Sequence, residues 1–170
     1  MLWLVLGLVI LILLAVWVTW TAMRIDRLDA RVEGAWQSLD AQLVRRVMAL
    51  RETVAEREDH NRHGQNVVDQ HVRDAAARAV TIEDRALRAA AENDVGAQIA
   101  ALPADARDER LRAACIQVQT ARTFYNDAVR ACSALRSQRL PRLLRLGSAA
   151  PVPPYFDIDD SPGTGWSGGD

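Results

Sequence analysis

Residues 2–54 read LWLVLGLVILILLAVWVTWTAMRIDRLDARVEGAWQSLDAQLVRRVMALRETV, and this stretch decides the fold. Its first 22 residues, from Leu2 to Met23, contain no charged side chain. A helix of that length spans about 33 Å, which matches a hydrocarbon core of about 30 Å. Beyond it, apolar residues keep recurring at helical spacing. The stretch predicts one transmembrane helix that continues into a soluble helical arm.

Tryptophans mark both ends of this apolar run. Trp3 lies at one end and Trp17 and Trp20 lie at the other, about 25 Å apart along a helix, where indoles favour the two membrane interfaces. A secretory signal would need a basic start, a shorter apolar stretch and a small-x-small cleavage site, and none of these features is present. We interpret residues 1–23 as a retained membrane anchor.

Arginines follow the anchor closely. Arg24, Arg27 and Arg31 lie just after it, whereas Met1 offers only its amino group on the other side. The positive-inside rule therefore predicts a single-pass protein of the cell membrane with its body in the cytoplasm, and Arg24 and Arg27 are counted with the interface residues. Translocation of the body despite these arginines is the alternative.

The arm after the anchor repeats its apolar residues in steps of three, four and four. An eleven-residue repeat has about 3.67 residues per turn and keeps one stripe on a nearly straight helix, which indicates a bundle helix. The stripe comprises Ile25, Leu28, Val32, Trp36, Leu39, Leu43, Val47, Leu50 and Val54.

A polar turn over residues 59–66 separates this arm from a second helix. That helix is expected to continue weakly towards Ala91 and to break around residues 93–96, where Asn, Asp and Gly occur. A short helix over 97–102 and a second break at Pro103 are expected to follow. The apolar positions of the second helix are Val67, Val68, Val72, Ala75, Ala79 and Ile82.

The last long helix has the most regular pattern in the chain, with apolar residues that alternate three and four apart. Pro141 is expected to stop or kink it. The tail, residues 147–170, is rich in Pro, Gly, Ser and Asp and is predicted to be mostly disordered, with Tyr155, Phe156 and Trp166 as exceptions. The apolar stripe of the last helix comprises Leu111, Ala114, Val118, Ala121, Tyr125, Ala128, Cys132 and Leu135.

These patterns predict an all-α protein. A single N-terminal transmembrane helix continues into an antiparallel up-and-down bundle of three to four helices over residues 24–146, followed by the tail. Every basic residue is arginine, and the net charge is -1. Because the charges nearly balance, there is no dominant positive field of the kind that marks nucleic-acid binding. The expected partners are the lipid bilayer and proteins, including other copies of this chain, and not nucleic acid.

The two cysteines lie on one predicted helix. Cys115 and Cys132 are seventeen positions apart, about 25 Å along the axis, so they cannot bond to each other within an intact helix. They are predicted to be free, buried thiols, as in a reducing compartment.

Histidines and acidic residues gather around the polar turn. His60, His63 and His71 occur with Asp59 and Asp69, and only this cluster offers ligands of the kind that bind zinc. Polar turns collect such residues without binding a metal, and no phosphate loop, nucleophile elbow or metalloprotease helix is present. We therefore expect no cofactor, no small-molecule substrate and no enzymatic activity.

Two stretches resemble a known family. Residues 36–54 read WQSLDAQLVRRVMALRETV, residues 122–130 read RTFYNDAVR, and Pro-Tyr-Phe occurs at 154–156. Together with the anchor they are similar to the LemA family, whose members carry a W-x-x-I/L-D-x-Q-L-x-R-R signature, a late Y-N-x-A-V and a terminal P-Y-F-E-like motif. The chain differs in having Arg-Glu-Thr at 51–53, where the family has Pro-Asn-Leu. Matching residues are Trp36, Asp40, Gln42, Leu43, Arg45, Arg46, Tyr125, Asn126, Ala128 and Val129.

The resemblance implies a bacterial, membrane-anchored bundle of four helices without an established enzymatic activity. Some relatives act in shaping intracellular membranes, and others are linked to membrane proteases. The resemblance implies no active site.

The matching residues divide between packing and polar positions. Trp36 lies on the apolar stripe, whereas Asp40, Arg45 and Arg46 lie off it. Asp40 is expected to pair with Arg45 or Arg46, or to reach Tyr125 or Asn126 on the neighbouring helix, with partner binding as the alternative.

Three functions follow from the sequence in decreasing order of preference. The first is a scaffold or interaction module at the membrane surface, and the second is membrane remodelling by self-assembly. The third is a metal-dependent enzyme that uses His60, His63 and His71.

Overall fold

The structure is a computed structural model that describes residues 1–60, 66–82, 84–137, 151 and 153–159. Within these residues it has four α-helices, one 3-10 turn and no strand, which confirms the predicted all-α fold. The helices are α1 (Leu2–His60), α2 (Asn66–Thr81), α3 (Arg85–Ala101) and α4 (Glu109–Arg136), and the 3-10 turn is Ala104–Ala106.

The chain forms two compact units that share α1 and α4. The first unit comprises Met1–Ala35 and Asp127–Pro153. The second comprises Trp36–Asn126 and Pro154–Asp170.

The first unit contains the apolar part of α1. All residues from Met1 to Val16 are exposed, although nearly all of them are apolar. An 18-residue window of this helix has a mean hydropathy of 2.8, and none of the window is buried. α1 is therefore long and apolar enough to cross a membrane, as predicted, and it is the one such helix in the described part of the chain.

The remainder of the first unit packs α1 against α4 around a carboxylate. Asp29 of α1 accepts hydrogen bonds from Cys132 Sγ at 3.1 Å and from Arg136 Nη2 at 2.5 Å. Burial, with help from Asp29, raises the pKa of the Cys132 thiol to about 11. The thiol is therefore protonated at neutral pH. Neither Cys115 nor Cys132 forms a disulfide and both are buried, which confirms that prediction.

In the second unit, α1 and α4 run antiparallel. Arg110, near the start of α4, donates hydrogen bonds to the carboxylates of Glu52 and Glu56 in the last turns of α1, at 2.7 and 3.0 Å. Tyr125, later in α4, contacts Trp36, which comes earlier in α1. The residue pairs thus follow opposite orders along the two helices.

α3 runs parallel to α1. Asp40 pairs with Arg88 and Arg46 pairs with Glu92, so the contacts advance in the same direction along both helices. α2 ends at Thr81 and α3 begins at Arg85, and the two helices contact each other through Arg78 and Asp94. Two packed helices joined by so short a link run in opposite directions. The four helices therefore alternate in direction, as expected of an up-and-down bundle.

The core of the second unit is aliphatic and rich in alanine. Small side chains on α2 allow its backbone to approach its neighbours closely, so a helix with few large residues still contributes buried area. The core comprises Val47, Ala49, Leu50, Val54, Val72, Ala75, Ala76, Ala79, Ala91, Val95, Ile99, Leu102, Leu111 and Cys115.

The predicted break around residues 93–96 is wrong. α3 runs through it, because Asn93 and Asp94 lie on the exposed face and Gly96 lies on the buried face. The turn lies before α3 instead, where the Asp84 carboxylate accepts hydrogen bonds from two backbone amides of the first turn at 2.9 Å. The predicted break at Pro103 is confirmed.

Part of the tail is packed within the second unit. Residues 154–159 form neither helix nor strand, yet Phe156 and Ile158 are buried, whereas Tyr155 is exposed. The predicted kink at Pro141 and the remaining tail aromatic, Trp166, lie outside the described residues.

Because Asp84 caps α3, we expect Asp84→Ala to lower the free energy of unfolding by about 1 kcal/mol. Urea unfolding of the full chain in detergent, followed by circular dichroism, measures this change. Asp94→Ala is the matched control, because its carboxylate is exposed on the same helix and pairs with Arg78 only at 3.9 Å. An equal loss in both variants would contradict the capping role.

Candidate functional site

A buried group of charged residues, here called the ionic cluster, joins α1 to α3. The Glu92 carboxylate accepts a hydrogen bond from Arg46 Nη2 at 2.7 Å and one from Arg88 Nε at 2.9 Å. Arg46 also donates to the backbone carbonyl of Glu92 at 3.1 Å. Asp40 of α1 completes the cluster. The two arginines and the two carboxylates of the cluster balance in charge.

Three of the four members of the cluster are almost fully removed from solvent. Glu92 is 1 % exposed, Arg88 is 3 % exposed and Arg46 is 4 % exposed. The Arg88 Nη2 atom lies 3.2 Å from Asp40 Oδ1 and forms an ion pair, but its angles do not satisfy hydrogen-bond geometry. The Glu92 contacts are therefore the strong ones, and Asp40, which is partly exposed, closes the cluster towards solvent.

Next to the cluster lies a second group, here called the aromatic clamp, which comprises Trp36, Arg85, Tyr125, Asn126 and Phe156. The Trp36 ring lies edge-on to both Tyr125 and Phe156, each at a centroid distance of 5.5 Å. The Arg85 guanidinium lies over the Trp36 ring at 4.6 Å and near the Tyr125 ring at 5.9 Å. Each such contact contributes on the order of 1 kcal/mol beyond the area that it buries.

Hydrogen bonds hold the tail segment in the aromatic clamp. The Asn126 side chain donates to the Phe156 carbonyl at 3.1 Å and accepts from the Phe156 amide at 2.9 Å. The Tyr125 hydroxyl donates to the Pro154 carbonyl at 2.9 Å. A side-chain amide that satisfies both backbone groups of one residue binds extended chain as a β-strand neighbour would. The clamp therefore fixes the tail segment around Phe156 against α1 and α4.

The structure corrects two expectations about the motif residues. Arg46 is buried and not off the core, because Glu92 neutralises it there. The ion pair of Asp40 is with Arg88 of α3 and not with Arg45 or Arg46. α3 lies beside α1 at this level, which periodicity within one helix does not show.

Other motif residues take different positions. Tyr125 and Asn126 bind the tail segment. Gln42 accepts a hydrogen bond from exposed Arg45 at 3.4 Å, a weak surface contact.

The anchor residues are exposed along α1. Trp3 is 82 % exposed and Trp20 is 57 % exposed, and Trp17 is half-buried. The Arg24 guanidinium lies 5.8 Å from the Trp20 ring centroid, while Arg27 is exposed one turn later.

Sequence reasoning missed Arg85, Arg88 and Glu92, all on α3. A signal was present, since Arg88, Glu92, Val95 and Ile99 follow one another at steps of four, three and four. A charged pair that interrupts an apolar stripe in this way indicates a buried ion pair.

On the side of α4 opposite its core stripe, two large apolar side chains and two threonines form a stripe, here called the outer α4 face. Its members are Ile116, Thr120, Thr123 and Phe124, which follow the i, i+4, i+7, i+8 pattern of a packing surface. Ile116 is 45 % exposed and Phe124 is 65 % exposed. Thr120 and Thr123 donate their hydroxyl hydrogens to backbone carbonyls one turn earlier, at 2.9 and 3.0 Å, which leaves their methyl groups as the free parts of the side chain.

The predicted histidine cluster falls mostly outside the described residues. The side chains of His60, Asp59 and Asp69 and the whole of His63 are outside them, while His71 is exposed on α2. Within the described residues no group of three or more His, Cys, Asp or Glu side chains is placed to hold a metal ion.

The comparisons with known proteins give no match to a family model, to a curated protein or to a solved structure.

Replacing Glu92 tests the ionic cluster. Glu92→Gln leaves two buried guanidiniums without a carboxylate between them, and we expect it to cost about 3–5 kcal/mol of unfolding free energy. Glu52→Gln removes a carboxylate from the exposed pair with Arg110 and should cost less than about 1 kcal/mol. Urea midpoints in one detergent compare the two variants. Similar losses would show that burial of the cluster does not matter.

Hydrogen exchange tests the aromatic clamp. Asn126→Ala removes both hydrogen bonds to the Phe156 backbone, so amide exchange at residues 155–159 should accelerate roughly tenfold or more. Tyr155→Ala truncates the neighbouring exposed side chain and should leave the exchange rates of the other tail amides unchanged. If Asn126→Ala had no effect, the clamp would not hold the tail in solution.

Proposed function

We propose that this chain is a non-enzymatic, membrane-anchored helical-bundle protein of LemA-like type that acts as an interaction module at the membrane surface. The observation that carries the proposal is the outer α4 face, an apolar helical surface on a helix whose opposite face is already buried in the core. Contiguous exposed apolar surface marks sites of protein association, and we infer such a surface from the spacing of Ile116 and Phe124 on one side of α4.

Membrane anchoring is supported by α1. One uninterrupted helix contains the exposed apolar segment and, further on, the buried core stripe that includes Leu39 and Leu43. Arg24, Arg27 and Arg31 follow the apolar segment, so we place the body on the cytoplasmic side of the cell membrane.

The LemA-like assignment is supported by the aromatic clamp. Trp36, the pair Tyr125 and Asn126, and the segment 154–156 belong to three separate motif stretches, and they contact one another in the second unit. Because these residues together hold the tail against the helices, their contacts explain why the motif has parts that lie far apart in the sequence.

The occupant that we assign to the outer α4 face is an amphipathic helix of another protein. The i, i+4, i+7, i+8 spacing presents a stripe of the width that helix-to-helix packing uses. A second copy of this chain is the alternative occupant, and it would favour membrane remodelling by self-assembly.

Proximity labelling in intact cells tests the proposal, with the labelling enzyme fused to the C-terminus of the full chain. Labelled cytoplasmic proteins are expected, and one or more should be lost in Phe124→Asp. Leu87→Asp is the matched control, because Leu87 is 64 % exposed on α3 and lies outside the outer α4 face. Circular dichroism of both purified variants should show unchanged thermal unfolding.

Each other outcome decides between the alternatives. Labelling confined to proteins outside the cytoplasm would reverse the topology. If the wild-type chain labels other copies of itself and Phe124→Asp does not, the result would favour self-assembly. Identical neighbours in the wild-type chain and both variants would exclude the outer α4 face as the interaction surface.

A further inference from the structure

A groove lies between α1 and α4 within the first unit. Its apolar lining includes Leu28 of α1 and Leu135 of α4, and Ala131 and Ala134 are too small to fill it. A groove with this lining suits an elongated hydrocarbon group better than a polar ligand.

Two arginines form the α1 side of this groove. Arg24 and Arg27 line it three residues apart, so they lie on the same helix face. Both are exposed, and in the described part of the chain neither forms an ion pair with a carboxylate. Asp29 is already bound to Arg136 and Cys132, and Asp26, two residues after Arg24, faces another side of the helix.

The position of these arginines along α1 points to the ligand. Arg24 is the first charged residue after the apolar segment, and Arg27 follows within about 5 Å along the axis. If α1 crosses the bilayer, both guanidiniums lie at headgroup depth and the apolar lining lies beside them.

We propose that this groove binds one anionic phospholipid, and the proposal rests on the membrane anchoring proposed above. The lipid phosphate lies between the guanidiniums of Arg24 and Arg27, which donate charge-assisted hydrogen bonds to its oxygens. Leu28 and Leu135 lie at the depth of the guanidiniums, where the glycerol backbone of the lipid packs on them, and the acyl chains run from there along the apolar segment of α1. Basic pockets beside membrane spans bind anionic headgroups by this combination, whereas a free phosphate would leave the apolar lining unused.

Lipid exchange in nanodiscs tests the site with the full chain. The discs contain phosphatidylcholine with a minor fraction of phosphatidylglycerol, and native mass spectrometry after release into detergent counts the lipids that remain bound. The wild-type chain should retain phosphatidylglycerol in preference. The double variant Arg24→Gln/Arg27→Gln should lower that preference roughly thirtyfold, at about fivefold for each arginine.

Two further variants separate charge from shape. Arg31→Gln removes an arginine one turn beyond the groove and should leave the preference unchanged. Ala134→Trp fills the groove, keeps both arginines and should reduce retention of phosphatidylglycerol. Glycerol phosphate, added as a soluble competitor, should not displace the lipid.

The outcomes that overturn the proposal are distinct from those that overturn anchoring. If the chain eluted separately from the nanodiscs, it would not have entered them, and both the anchoring and the lipid site would be excluded. Entry without a preference for phosphatidylglycerol would remove the lipid site alone. Equal losses in Arg31→Gln and the double variant would reduce it to general surface charge, and displacement by glycerol phosphate would reduce it to an anion site.

Discussion

The Glu92 carboxylate, bound between Arg46 of α1 and Arg88 of α3, is the interaction on which the second unit depends. A buried carboxylate between two guanidiniums tolerates little sliding, because a shift of one turn would leave charges unpaired in a medium of low polarity. It therefore determines the register of α3 along α1. The same register places Arg85, two turns before Glu92, over the Trp36 ring.

The aromatic clamp extends this order to the tail. Tyr125 and Asn126 bind the backbone of Pro154 and Phe156, while the Phe156 side chain is buried against Trp36. α1, α3, α4 and the tail thus meet around one tryptophan. A segment that is too polar to fold alone becomes ordered because its backbone groups and one large side chain find partners already in place.

The helices that were predicted well are those whose stripes are long and uninterrupted. α1 and α4 follow their patterns from Ile25 to Val54 and from Leu111 to Leu135. Asn93, Asp94 and Gly96 are poor helix formers, so the sequence predicts a break there that α3 does not have. Tertiary packing outweighs that weak local preference, and the Asp84 cap provides a better start for the helix. Of the candidate site, the sequence indicates Trp36, Asp40, Arg46, Tyr125 and Asn126, but it does not indicate their partners.

The sequence by itself determined the apolar helix, the core stripes and the free cysteines, because hydrophobicity and spacing act within a single helix. Only the tertiary structure decided which charges pair and where the tail binds. Asp40 and Arg88 are 48 positions apart, and Asn126 and Phe156 are 30 positions apart. Contacts over such separations depend on how helices lie side by side, and no periodicity within one helix carries that information.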